Sequence, residues 1–453
     1  MGVLTGSRMC YATNLRPAAT FPAVTFGPSM SDLATYALAG PDAAMRECPE
    51  CGLFQTVPAM RPGNVAACTR CGALLRRRHR DALGTTLAFS ITGLVLFTVA
   101  ATTPLLGLRL AGQQRNTTLF SLPAAFEDQG IWQLAIVVLA TTLVAPVLKL
   151  ALTAGVIIGV QTGTAPSTLA AMERWRKRLT PWAMIEVFLL GVFVAYTRLA
   201  ALAEVQVGLA LYALGGLMLA IVATDAWLDE HALWEAIGRL RRTPAPMGIG
   251  PLIGCDSCGR VGRAAPGALC RRCNAPLRVR KPNSIARTWA LLLAAAALYV
   301  PANLYPVMTV IRFGRGQPST ILGGVQELIE YRMWPLALLV FGASVMVPVL
   351  KLVSLAYLLI ATQRGATKRL KDRTRLYRII DALGRWSMID VFMLSILVAL
   401  VRMGLLASVI PGLGGVCFAS VVILTMLAAF SFDPRLMWDA AGQTGCDEAE
   451  AEA

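Results

Sequence analysis

Eight of the eleven cysteines fall into four Cys-x-x-Cys pairs. Cys48 and Cys51 are followed by Cys68 and Cys71, and Cys255 and Cys258 by Cys270 and Cys273. Each pair presents two thiolates from one tight turn, and two turns brought together complete a tetrahedral four-sulfur site. That donor set suits zinc, with iron as the minor alternative. All four positions are filled, which argues against a redox dithiol and makes the metal structural. Gly52, Gly72 and Gly259 follow the second cysteine of three turns, where a knuckle favours positive φ. Arg70, Arg271 and Arg272 offset the negative charge of four thiolates. So small a module cannot build an adequate core alone, and each set reads as a zinc ribbon. Cys10 and Cys446 stay unassigned, and Cys417 reads as a small hydrophobe in an apolar run.

A second group is out of place by polarity. Lys149, Glu186, Lys351 and Asp390 stand within long apolar runs. The 453 residues are 56% hydrophobic and only 15% charged, against about 25% charged for a soluble domain. Disorder, collagen and a disulfide-rich secreted module are excluded with the ordinary soluble enzyme. Runs near 84–106, 131–159, 182–203, 206–228, 286–307, 333–361, 386–403 and 405–431 are each long and apolar enough to cross a bilayer. The net charge of +16 is mostly topological. Basic clusters at 76–80, 174–178, 239–242 and 364–378 flank one side of these runs. The positive-inside rule places them, the ribbons and both termini in the cytoplasm. No nucleic-acid role is needed to explain the charge.

The halves repeat. Pro146-Val147-Leu148-Lys149-Leu150 recurs as Pro348-Val349-Leu350-Lys351-Leu352, and the Trp182–Phe188 motif as Trp386–Phe392. Each half has a ribbon and four spans, so both face the same way as parallel repeats. The fold class is a mainly α integral membrane protein of eight transmembrane helices. These form two parallel four-helix repeats, each preceded by a cytoplasmic zinc ribbon. Short extracytoplasmic β-hairpins are expected around Gly112 and Gly314. Residues 1–45 read as disordered, 46–80 as the first ribbon, and 81–230 as the first transmembrane repeat. Residues 231–280 read as a linker and the second ribbon, 281–440 as the second transmembrane repeat, and 441–453 as an acidic tail.

A charge at mid-bilayer costs about 2.5–3.5 kcal/mol on insertion scales, so it faces a cavity or a partner. The recurrence suggests two lysine–carboxylate pairs, Lys149 with Glu186 and Lys351 with Asp390. The second repeat is the more polar: Ser344 shares a helix face with Lys351, and Ser387 shares one with Asp390. Asn303 and Thr425 add polar groups nearby. Lys351, Asp390, Ser344, Ser387, Asn303 and Thr425 are therefore the candidate transport pocket or proton relay. Lys149 and Glu186 are their repeat-equivalent, with structural glue as the competing role. Arg198 and Arg402 end the third span of each half and read as interface anchors.

Two ribbon-plus-four-span units with Pro-Val-Leu-Lys-Leu and Trp-x-Met-Ile-[Asp/Glu]-Val-Phe resemble the paraquat-inducible protein A family. The similarity covers about residues 46–440. It implies a multi-pass protein of the bacterial inner membrane, working beside a periplasmic MCE-domain protein that forms a tunnel. The implied activity is movement of phospholipid between membranes. The sequence has no Gly-x-x-x-x-Gly-Lys-[Ser/Thr] motif, so any energy would come from elsewhere, such as a proton gradient. The alternative is a self-contained secondary transporter of a small molecule or ion; a third reading is a scaffold. With two histidines and no nucleophile–base constellation, an enzyme is not expected.

Overall fold

The computed structural model describes residues 44–58, 60–110, 113–200, 204–240, 250–312, 315–330, 332–401 and 407–443. Residues 1–43, 241–249 of the linker, both hairpin turns, Arg402 and the acidic tail from 444 lie outside the described residues.

Among the described residues eight helices are long and apolar enough to cross a membrane. The four of repeat 1 are Ala82–Thr102, Trp132–Thr162, Pro166–Ala200 and Leu209–Trp227. Those of repeat 2 are Ser284–Leu304, Trp334–Gln363, Leu370–Leu400 and Leu413–Ser431. We number them spans 1 to 8. The third span of each repeat begins as an amphipathic, charged helix, Pro166–Leu179 or Leu370–Leu383, before a short 3-10 turn leads into the apolar part. In each repeat the first span lies along the fourth. Small residues permit the approach in repeat 1: a Cβ on Gly93 would come within 3.6 Å of Ala220 of span 4 and within 2.9 Å of Leu150 of span 2, and one on Gly216 within 3.2 Å of Leu96 of span 1.

The repeats meet along spans 3 and 7. The Phe188 and Phe392 rings pack edge-on, 5.6 Å apart, and Gly191 sits against Phe392 and the span 7 backbone. In its most apolar stretch span 7 is 83% buried, against 22% for span 5. Span 7 is thus the centre of the bundle, whereas span 5 turns most of its surface to lipid.

Spans 2 and 6 each contain a wider π turn, Leu139–Val144 and Gly342–Met346. Pro146 and Pro348 follow them. Proline has no N–H to give to the residue four before it and its ring crowds that carbonyl; here those residues are Thr142 and Ser344. The π turn absorbs the mismatch, while both hydroxyls bond back to the preceding helical turn at 2.6 Å.

On the side away from the ribbons, the expected hairpins are present as Leu106–Leu110 with Gln113–Thr117 and as Met308–Arg312 with Arg315–Ser319. Each gains a third strand, Glu204–Val207 or Ala407–Pro411, on the free edge of the first. The connections after spans 3 and 7 are therefore not bare turns. They return to pair with the strand after span 1 or span 5, so each sheet ties two connections of one repeat together. The glycine after each third strand is what brings span 4 or 8 back. A Cβ on Gly208 would lie 2.0 Å from Pro104 O, and one on Gly412 2.2 Å from Pro306 O.

Gly208→Ala and Gly412→Ala should each destabilise the detergent-solubilised protein by about 1–3 kcal/mol, because a backbone carbonyl must move. Gly215→Ala, facing open space in mid-helix, should be neutral or stabilising by up to about 1 kcal/mol. Thermal melts of the three variants check this.

Candidate metal centres and intramembrane polar site

All four Cys-x-x-Cys turns have the same backbone. The residue after the second cysteine donates to the carbonyl of the first: Gly52 to Cys48, Gly72 to Cys68, Gly259 to Cys255 and Asn274 to Cys270, at 2.8–2.9 Å. The three glycines lie at φ +73°, +72° and +67°, and Asn274 at +55°. Asparagine tolerates this region better than most residues, which is why the fourth turn manages without glycine. The eight cysteines are buried. Within each set the sulfurs lie within 4.8 Å of one another, and Cys48–Cys71, Cys51–Cys68, Cys255–Cys273 and Cys258–Cys270 are 3.5–3.6 Å apart. A tetrahedron with 2.3 Å metal–sulfur bonds has edges of about 3.8 Å, so both sets fit a four-coordinate metal ion.

The first ribbon, preceding repeat 1, is seated on repeat 2. Its cysteines share a core with Leu292, Leu355, Leu358, Phe432 and Trp438. Arg378 Nε donates to Glu50 at 2.7 Å, and Arg70 lies over the Trp438 ring. The second ribbon, preceding repeat 2, is seated on repeat 1, against Val156, Ile157, Leu169, Trp234 and Ile237. Lys177 donates to Ser257 O at 2.8 Å and Arg174 donates to Cys273 O.

The ribbons also touch each other. Glu47, in the first strand (Ala44–Glu47), accepts from Gly254 N of the second ribbon at 2.9 Å. That strand takes in residues 44 and 45, which the sequence placed in the disordered segment. Arg435, just after span 8, reaches Glu47 at 2.9 Å, Asp256 at 2.6 Å and Asp433 at 3.2 Å. Arg280 bridges Glu47 and Asp439. Burial raises the Glu47 carboxyl above its ordinary value, although Arg435 and Arg280 pull the other way. Burial works against the Arg435 charge too, yet Asp433, Asp256 and Glu47 outweigh it and hold the guanidinium charged. At the corresponding place after span 4, Asp229 caps a helix and His231 Nε2 lies 2.9 Å from Leu75 O of the first ribbon. Burial, helped by the Arg46 charge, lowers His231 from 6.5 to about 4.

Inside the membrane the expected pairing is corrected. Lys149 is buried and meets Asp225 of span 4 at 2.6 Å, not Glu186. Glu186 sits on the seam between repeats and pairs with Arg385 of repeat 2 at 3.2 Å. Lys351 does not pair with Asp390. Its Nζ donates to Gly384 O at 2.9 Å and to Thr425 Oγ1 at 3.4 Å. It lines a cavity of about 210 Å³ with Thr180, Asp381, Gly384, Arg385 and Thr425. Asp390 is buried on span 7 and its Oδ1 has no hydrogen-bond partner among the described residues. Ser344 is its hydroxyl neighbour, and Arg198 of repeat 1 is the base whose charge reaches it. Ser387 Oγ, one turn before, is likewise buried without a partner. Asn303 stands apart: it donates to Tyr299 O of its own helix at 2.8 Å. The six candidates thus divide into Lys351 with Thr425, Asp390 with Ser344 and Ser387, and Asn303 alone. Arg198 is more than an end anchor, since it also donates to Gly324 O of repeat 2 at 3.3 Å.

Asp225, Asp381, Arg385, Glu47 and Arg435 are not among the site residues expected from sequence. Asp225 carried a signal, an acid near the end of an apolar run, at a point where the two halves depart from each other. The others are charges beside turns, whose partners lie up to 388 residues away.

The family model for paraquat-inducible protein A matches residues 83–238 and again 285–442. The intermembrane transport protein PqiA of Escherichia coli K12 is 33% identical over 401 residues, covering 86% of this chain and 95% of that protein. The lipophilic envelope-spanning tunnel protein A of the same organism is 30% identical over 403 residues, covering 87% and 91%. A probable intermembrane transport protein of Haemophilus influenzae is 26% identical over 419 residues, covering 88% and 97%. No solved structure matches the chain.

Elemental analysis of the purified chain should find two metal equivalents; Cys51→Ser and Cys258→Ser should each leave one, and the double variant none. His231 generates a pH dependence. The unfolded chain takes up this proton near 6.5 and the folded chain only near 4, so stability present at neutral pH is lost as pH falls through that window. Melting temperature should drop on acidification over this range, and less so in His231→Gln.

Proposed function

The chain belongs to the paraquat-inducible protein A family, and from that premise we propose that it is the inner-membrane subunit of an intermembrane lipid transport system. In this reading it moves phospholipid between the inner membrane and a tunnel formed by a periplasmic MCE-domain protein. The names of the relatives, intermembrane transport and envelope-spanning tunnel, support it. The ribbons, the basic loops and both termini face the cytoplasm, by the positive-inside rule. The three-stranded sheets then face the periplasm, where the partner docks. Zinc fills both four-cysteine sites and is structural: the donor set is all thiolate and no position remains for substrate.

The observation that carries a transport role over a scaffold is Asp390. A buried carboxyl on the central span with one unpartnered oxygen is costly and adds nothing to packing. We assign to it the exchange of a proton that couples lipid movement to the gradient. Ser344 holds the carboxyl, and Arg198 brings the charge of repeat 1 to bear on it. Lys351 and Thr425 belong to the substrate pocket. Lys149 and Glu186, each in an ion pair, are the structural counterpart.

Asp390→Asn should leave the melting temperature within a few degrees of wild type and slow lipid transfer to acceptor vesicles by at least about tenfold. Unchanged transfer would sink the proton-coupled reading. Purification in mild detergent should bring down a periplasmic MCE-domain protein and bound phospholipid. A lone chain without lipid would favour a self-contained transporter of a small molecule or ion.

A further inference from the structure

Lys149 and Lys351 occupy equivalent positions, but only one has a counter-ion. Gly208 and Gly412 cap spans 4 and 8, and counting forward from each sets Asp225 against Ala429. Asp225 meets Lys149 at 2.6 Å. Ala429 offers no carboxylate; it lines the 210 Å³ cavity onto which Lys351 opens. The space that the carboxylate fills in repeat 1 is therefore part of a cavity in repeat 2. Lys351 keeps two neutral acceptors, and no carboxylate among the described residues lies within 4.0 Å of its Nζ. A buried ammonium without a counter-ion is strongly unfavourable in general. Asp381, in the wall of the same cavity, also has no ion-pair partner within 4.0 Å among the described residues. Arg385 is already held by Glu186. Thr180 adds a hydroxyl, and Pro181, Met426 and Phe430 add apolar walls.

We propose that this cavity binds the head group of a zwitterionic phospholipid. The phosphate takes the place on Lys351 that the Asp225 carboxylate has on Lys149, and the ammonium of the head group faces Asp381. A simple anion would satisfy Lys351 and leave Asp381 repelled; a zwitterion satisfies both. The inference rests on the lipid-transport reading for the choice of a lipid, and on the repeat comparison for the site.

The test is equilibrium binding to the full-length chain in non-ionic detergent, with dihexanoyl phosphatidylethanolamine, dihexanoyl phosphatidylglycerol, free phosphoethanolamine and inorganic phosphate as separate ligands. Wild type should bind the ethanolamine lipid at least about tenfold tighter than the glycerol lipid. Ala429→Asp, which rebuilds the ion pair of repeat 1, and Ala429→Leu, which fills the space without charge, should each weaken it by about tenfold or more. Asp381→Asn should remove the preference between the two lipids. Binding that is unchanged in both Ala429 variants overturns the site. Inorganic phosphate binding as tightly as the lipid overturns the zwitterionic assignment. Phosphoethanolamine matching the lipid would make the soluble head group the ligand and overturn the lipid as its source. Transport that survives in an Ala429→Asp chain unable to bind the lipid leaves the binding site standing and overturns its place in the transport path. A wild type that binds the lipid but moves none refutes the transport reading and leaves the site standing.

Discussion

The charge cluster centred on Glu47 and Arg435 is the constraint on which the rest of the molecule hangs. Arg435 is satisfied only when the first ribbon supplies Glu47, the second supplies Asp256, and the end of span 8 supplies Asp433. Glu47 in turn holds the backbone of the second ribbon through Gly254 N. Such clusters add little net stability relative to an apolar core, but removing one member leaves the others buried and unpaired. The arrangement is therefore all or none: both ribbons and repeat 2 are in register, or none is. Neither ribbon could hold this geometry alone, since each core is completed by helices beneath it.

Much of this architecture is visible in the sequence. The cysteine spacing gathers eight thiols into two four-sulfur clusters, length and hydropathy give eight spans, and Pro-Val-Leu-Lys-Leu gives the duplication. These are properties of order along the chain, which local geometry preserves. What the sequence does not give is which helix faces which. Lys149 and Glu186 recur as Lys351 and Asp390, so pairing them is the economical reading. Yet Lys149 turns to span 4, and Glu186 turns across the seam to Arg385. The third strand of each sheet is hidden for a related reason. A strand of four or five residues after an apolar helix has no periodicity of its own, and only its partner defines it.

The two repeats share a backbone and differ in chemistry. Both have the π turn before proline, the sheet on the far side and the glycine that meets a proline carbonyl. Repeat 1 closes Lys149 into an ion pair with Asp225, and Glu186 into one with Arg385 across the seam. Repeat 2 leaves a carboxylate oxygen, a serine hydroxyl and an ammonium incompletely matched, in and beside the most buried span of the bundle. Duplication supplies two copies of a stable frame, and once one holds the bundle together, the other can carry unsatisfied polar groups. The asymmetry also explains why the second repeat carries the more polar set of intramembrane residues.

The crossed seating of the ribbons bears on how such a chain arose. A half-length ancestor, one ribbon followed by four spans, would have had its ribbon reaching for helices like those of its own repeat on a second copy. Two copies exchanging ribbons form a domain-swapped, two-fold symmetric dimer, with spans 3 and 7 as its isologous interface. Gene fusion turns that exchange into an intramolecular one without moving any element. It also frees the two halves from symmetry, so that an aspartate at position 225 and an alanine at 429 can coexist in one molecule.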